Sequence, residues 1–409
     1  MVHKKHIVIV TTNLANGGTE RRAIVLANGF FDNGYRVTYL VMNKIYSDVV
    51  YKLNDGIELI NISDFASSDV ALLKKELSCS YIEKKLKTMK IIHKIAKFLK
   101  TDDVAIKREK DILSSCKTLR TFALCNRGAT FIVFGLGNYE KVFCASEGLD
   151  CKLIFSDASA PQFKKDPKEN KLFKRVSSKM LKKADVCIFQ TEEQKAYYGK
   201  CVKKNGQIIK NPITVNIPPV FKGERKHRIV NFCRTHPVKN LILLVEAFKL
   251  FSDRFSDYKL EIYGSTSTQI AENYKSEVIK RISDLGLSEK AVVYNAISDI
   301  HEKVFDYGMF VSSSDSEGLS NSMLEAMAMG IPCVCTDCEG GGAKEVIKDG
   351  VNGMPVPIGN AEAMCAAMCK IATDVNLAKS LSINASKIRT ELSVENIVNR
   401  WIDIIEQKQ

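Results

Sequence analysis

Between Met309 and Pro332 the chain runs through an apolar strand, a serine-rich loop and a short helix, and this succession constrains the fold more than any other stretch. Met309-Phe-Val311 is apolar without alternation, which marks a strand buried on both faces. A helix is expected from near Ser320 to Gly330, where Gly330 and Pro332 stop it. Two carboxylates lie here, Glu317 in the loop and Glu325 inside the helix. Gly318 has no Cβ and lets a ligand come close to the backbone. The amides of Gly318, Leu319, Ser320 and Asn321 are expected to point freely out of the helix start, where the dipole favours an anion. An anion cradle between two hydrogen-bond acceptors suits a phosphorylated, hydroxyl-rich ligand such as a sugar nucleotide. Ser322-x-x-Glu325 also fits a capping box, in which Glu325 serves its own helix. These residues alone leave both readings open.

The same order of elements opens the chain. His6 to Thr12 is a buried strand, Asn13 to Gly18 a loop, and a helix is expected from Thr19 to Gly34. Tyr35 to Val41 is the next strand. Strand, glycine loop, helix and strand in this order make a Rossmann-like unit with a parallel sheet. The loop lacks the GxGxxG fingerprint, which argues against a nicotinamide cofactor. Ala129 to Phe134 and Lys152 to Ser156 read as further strands, the second running into Asp157. A carboxylate at the C-terminal end of a strand lies where open α/β sheets bind ligands. An Asp that caps a turn is the alternative.

A second Rossmann-like unit starts at Arg228 to Cys233. Arg234 follows at the strand end and Lys239 opens the next helix, so both cations can aim at one diphosphate. Arg does so as a bidentate fork and Lys as a point charge. Tyr258 to Gly264 and Ala291 to Ile297 are expected strands. Between the units, Asn211 to Val220 holds Pro212, Pro218 and Pro219 and suits an exposed linker. The expected division is residues 1–211, residues 212–390 and a terminal helix within residues 391–409.

These runs, in register, resemble the retaining glycosyltransferases of family 4, whose GT-B fold is α/β with two Rossmann-like domains facing across a cleft. Glu317-Gly-Leu-Ser-Asn and Leu324-Glu325-Ala-Met-Ala-Met-Gly-Ile-Pro-Cys-Val match the family's E-x7-E run. Gly17-Gly18-Thr-Glu20 is similar to its opening segment. Arg234 to Lys239 is similar to its diphosphate loop, with Cys233 where Gly is usual. The resemblance implies that Glu317 lies against the donor sugar and that Glu325 accepts hydrogen bonds from the ribose. The amides between them would hold the diphosphate and sugar. It implies also that the backbone at Ala296 and Ile297 faces the base and that Gly17 and Gly18 line the cleft. The terminal helix with Trp401 is placed to cross back onto the first domain. Arg234 and Lys239 would stabilise charge on the leaving diphosphate, so no metal and no cofactor is expected. Asp157-Ala-Ser-Ala-Pro161 resembles the Ser-Glu-Arg-x-x-Pro loop of some members, with Asp157 for Glu and Ala158 for Arg. An acceptor-facing role for Asp157 is the expectation this carries. The implied donor is a UDP-hexose or UDP-N-acetylhexosamine. The implied acceptor is a lipid-linked saccharide in surface-polysaccharide synthesis such as capsule or lipopolysaccharide.

The net charge of +13 suits an anionic partner (nucleotide, nucleic acid or membrane surface), a merely soluble basic protein being the alternative. Lysine is concentrated in residues 81–100, where Ile82, Leu86, Met89, Ile92, Ile95 and Leu99 recur at helical steps. This basic amphipathic helix is read as docking on an anionic membrane, the alternative being a lysine face turned to water. Basic and aromatic residues do not interleave on one platform, which argues against nucleic acid. No apolar run reaches transmembrane length, and the chain is expected in the cytoplasm, peripheral on the inner face of the membrane. Cys335-x-x-Cys338 has no second pair nearby and is read as structural, like the other cysteines in apolar runs. Rival functions are a nucleotide-sugar epimerase on a similar fold, which needs no acceptor, and a non-catalytic basic protein that binds membrane or nucleic acid.

Overall fold

A computed structural model describes residues 4–15, 17–46, 51–65, 118–157, 178–213, 217–266 and 268–407. The basic stretch over residues 81–100 lies outside the described residues, as does the loop after Asp157.

Two parallel sheets form the molecule. The first comprises β1 (Lys4–Leu14), β2 (Tyr35–Ile45), β3 (Glu58–Asn61), β4 (Thr130–Phe134), β5 (Lys152–Ser156), β6 (Val186–Phe189) and β7 (Gly206–Ile208), in the order β3-β2-β1-β4-β5-β6-β7. The second comprises β8 (Lys226–Phe232), β9 (Lys259–Gly264), β10 (Ala291–Asn295), β11 (Tyr307–Ser312), β12 (Cys333–Thr336) and β13 (Met354–Val356), in the order β10-β9-β8-β11-β12-β13. Three helices matter below: α1 (Gly18–Asp32), α2 (Asn321–Ala328) and α3 (Val394–Glu406).

The apolar run of β1 explains the layering. Side chains alternate across a strand. Ile7 and Ile9 therefore join the core shared with Ala23, Ile24 and Ala27 of α1, while Val8 and Val10 join the opposite core with Tyr139 and Phe143. Both faces are covered, so no polar alternation survives in the sequence. In each sheet the strand order reverses at one place, between β1 and β4 and between β8 and β11. Chain leaving those neighbouring strands goes to opposite faces and opens a crevice at their C-terminal ends. The segments after β1, β8 and β11 hold Gly17–Gly18, Arg234–Lys239 and Glu317–Ser320.

Helix α3 returns to the first sheet. Gly29 of α1 meets it so closely that a Cβ there would lie 2.4 Å from Val398 Cγ2. Tyr35 donates its hydroxyl to Glu406 at 2.7 Å, and Lys152 Nζ donates to the Ile404 carbonyl at 2.7 Å. Trp401 is fully buried, with the Arg22 guanidinium 5.6 Å from its ring.

The linker departs from expectation. Asn211, Ile213 and Ile217 are buried rather than exposed. The Ile213 amide donates to the Leu392 carbonyl, and Arg389 donates to the carbonyls of Ile217 and Pro218. The two isoleucines carry apolar surface that the neighbouring terminal segment covers, and this outweighs the prolines' preference for exposed chain.

Candidate active site

The loop after β8 and the loop after β11 meet. Lys239 Nζ forms an ion pair with Glu317 Oε2, their side chains 12% and 24% exposed. Ser314 Oγ lies 3.5 Å from the same carboxylate oxygen. Burial pulls the Lys239 ammonium down, but the Glu317 carboxylate against it outweighs burial, and its pKa ends above the ordinary value. Arg234 is exposed at the mouth of the loop. Cys233, in the usual glycine position, turns its thiol back to Asn231 at 3.0 Å.

Helix α2 is capped by Ser320, whose Oγ accepts from the Met323 amide at 3.4 Å. Glu325 therefore does not complete a capping box with Ser322. Its carboxylate turns off the helix to Arg21 of α1, with which Oε1 forms an ion pair, and to His301, whose Nε2 lies 2.8 Å from Oε2. The expectation of four free amides at the helix start is corrected at Leu319. That amide donates to Gln190 Oε1 at 3.3 Å, because a buried N–H needs a partner and the first domain supplies one.

The first domain closes against this loop. Gly18 faces Asn321, a Cβ on it lying 3.4 Å from Asn321 Nδ2. Glu20 folds back over Gly17, and burial raises its pKa against the nearby Arg234 charge. Gln190 Nε2 donates to Asn211 Oδ1 at 2.6 Å, and Asn211 Nδ2 donates to Asn321 Oδ1 at 2.9 Å. Thr191 Oγ1 donates to the Gly340 carbonyl at 2.8 Å, and the Gly340 amide donates to Glu193 at 3.1 Å. Gly340 and Gly341 have φ of +104° and +69°, which side chains disfavour.

Ala296 and Ile297 are exposed past the end of β10, the Ala296 amide donating to the Gly264 carbonyl at 3.0 Å. Asp157 directly follows β5. It is 1% exposed, and Tyr198 donates its hydroxyl to Oδ2 at 2.5 Å. Its carboxylate is thus buried and held by Tyr198. Cys335 and Cys338 are buried thiols, the latter pushed up to about 12 by burial. Among the described residues no three or more His, Cys, Asp or Glu side chains gather as a metal site needs, and no helix is long and apolar enough to cross a membrane.

Arg21, His301 and Gln190 were not singled out from the sequence. Arg21 directly follows the Gly-Gly-Thr-Glu segment, which was the only signal available for it.

Two parallel α/β sheets with polar side chains gathered at the C-terminal ends of their central strands define a GT-B protein. Staphylococcus aureus TarM, solved with UDP, superposes at a TM-score of 0.73 over 99% of this chain and 100% of that one, at 14% identity. Anabaena HepE, solved with UDP and glucose, does so at 0.74 over 99% and 100%, also at 14% identity. Residues 214–388 match the family model for glycosyl transferases group 1. The Bacillus subtilis poly(glycerol-phosphate) alpha-glucosyltransferase is 26% identical over 239 residues, covering 58% of this chain and 34% of that one. A Campylobacter jejuni GalNAc-alpha-(1->4)-GalNAc-alpha-(1->3)-diNAcBac-PP-undecaprenol alpha-1,4-N-acetyl-D-galactosaminyltransferase is 22% identical over 405 residues, 98% of each chain. The chain spans about a third to two fifths of the length of the first curated relatives that it matches.

Proposed function

We propose that the protein is a retaining glycosyltransferase of family 4. It moves a hexose or N-acetylhexosamine from a UDP-sugar to a lipid-linked saccharide in the synthesis of a bacterial surface polysaccharide. The observation that carries this reading is the meeting of Lys239, Glu317, Glu325 and the start of α2 at the C-terminal ends of one parallel sheet, against the Gly17–Gly18 turn of the other. UDP as the nucleotide is supported by its presence in the TarM and HepE structures. The acceptor class is supported by the undecaprenol-linked substrate in the name of the Campylobacter relative. Residues 81–100 are the proposed contact with an anionic membrane, and the protein works on the cytoplasmic face.

In this reading Glu325 accepts the ribose hydroxyls, and the backbone at Ala296 and Ile297 faces the base. Glu317 holds the donor sugar. Arg234, Lys239 and the amides of Gly318, Ser320 and Asn321 face the diphosphate. As the anomeric C–O bond breaks, charge builds on the diphosphate, and these groups are already aimed at it. The acceptor oxygen bonds to the anomeric carbon on the face the diphosphate leaves, and its proton passes to the departing phosphate oxygen. Fixed cations serve here without metal or cofactor. Asp157, held by Tyr198 at the end of β5, is the residue of the first domain assigned to the acceptor side.

Calorimetric titration with UDP, GDP and ADP tests the donor site. One nucleotide should bind tightly, and Glu325→Ala and Arg234→Ala should each weaken it about tenfold or more. Absence of binding by all three removes the donor-site reading. The anomeric configuration of the product, read by NMR, tests retention, and an inverted product overturns it.

A further inference from the structure

We infer that Arg21, a residue of the first domain, completes the nucleotide pocket of the second by pairing with the Glu325 carboxylate and fixing its orientation. This rests on the reading of Glu325 as the ribose-binding carboxylate. The ion pair between Arg21 and Glu325 crosses the cleft, and both side chains are withdrawn from water, at 17% and 6% exposure. The Tyr51 ring lies beside the guanidinium, its centroid 5.6 Å from the guanidinium carbon.

A carboxylate so far from water is costly to keep charged unless a cation neutralises it. The Arg21 guanidinium paired with it supplies that cation. An ionised carboxylate has about four acceptor positions. Arg21 and His301 engage one oxygen each, which leaves positions for two ribose hydroxyls. The diphosphate beside it is also an anion, and Arg21 cancels the charge that would oppose its entry.

The placement of Arg21 is built in. Its amide donates to the Gly17 carbonyl at 2.9 Å, fixing it in the first turn of α1. The side-chain-free Gly18 lets that turn abut Asn321 at the start of α2. Opening the cleft draws Arg21 away from Glu325, so donor affinity depends on how the two domains sit together. Arg21 is a positioning residue in this scheme, acting through Glu325.

A double-mutant cycle on the full chain decides this. UDP, GDP and ADP are titrated into wild type, Arg21→Ala, Arg21→Lys, Glu325→Gln and the Arg21→Ala/Glu325→Gln double variant, with thermal unfolding followed beside each. Arg21→Ala should weaken the bound nucleotide about tenfold, and Arg21→Lys should recover most of that loss. In the Glu325→Gln background, where no charge needs neutralising, Arg21→Ala should add less than about threefold. If Arg21→Ala folds poorly, Arg21→Gln takes its place in the cycle. Equal losses in both backgrounds, or wild-type affinity in Arg21→Ala, overturn the proposal and leave the donor site standing. A wild-type protein that binds none of the three nucleotides overturns both.

Discussion

Lys239 sets the charge balance of the loop after β8. It is nearly enclosed and stays an ammonium because Glu317 lies against it. Removing it leaves the Glu317 carboxylate half-buried without its cation and, in the proposed reaction, deprives the leaving diphosphate of one positive charge. Lys239→Ala should therefore lower product formation about a hundredfold in a sugar-transfer assay. The pair's contribution to stability has a definite pH course. The folded pKa is raised, so the contribution is whole below the ordinary lysine value of 10.5 and is lost as pH rises through the higher folded value. The stability gap between wild type and Lys239→Met, read by chemical denaturation, should close above that pH. The sequence singles out Lys239 and Glu317 separately as candidate site residues. Their contact was not legible, because they lie 78 positions apart in the chain.

At the scale of elements, glycine decides how closely segments approach. Gly342 stands at the start of the short helix Gly342–Val346, where a Cβ would lie 1.7 Å from the Gly318 carbonyl oxygen. No rearrangement of a side chain relieves a clash with backbone. Gly342→Ala should push the Glu317–Ser320 loop out of place, lowering stability by more than about 1 kcal/mol in denaturant titration and abolishing nucleotide binding. Three glycines stand in a row at Gly340–Gly342, and only the packing shows which glycine touches what. The elements themselves were legible. The strand expected over His6 to Thr12 runs from Lys4 to Leu14, and the helix expected from Ser320 to Gly330 runs from Asn321 to Ala328. Ends moved because the sheet continues while a neighbour offers partners, and the helix stops where its caps fall.

At the scale of the whole molecule, buried amides join the two halves. Gln190, Asn211 and Asn321 form a chain of side-chain hydrogen bonds from β6 to the start of α2. Asn211→Ala leaves the buried Gln190 amide and the half-buried Asn321 amide short of a partner, at about 1–3 kcal/mol. A fall of that size in denaturant titration, with weaker UDP binding although Asn211 has no place in the proposed donor contacts, is the expected result. Helix α3 joins the ends of the chain to each other through Val398, Trp401 and Glu406. Apolar runs, glycine loops and helix stops are local signals, and the sequence by itself determined from them two parallel α/β units, their order and the two loops that carry Glu317, Arg234 and Lys239. Whether the linker was buried, that Glu325 answers to Arg21 and His301 rather than to its own helix, and that the Leu319 amide is taken by Gln190 were decided only by the tertiary structure. Each of these depends on which distant group arrives to cover an apolar surface or satisfy a buried polar atom, and no local pattern encodes that.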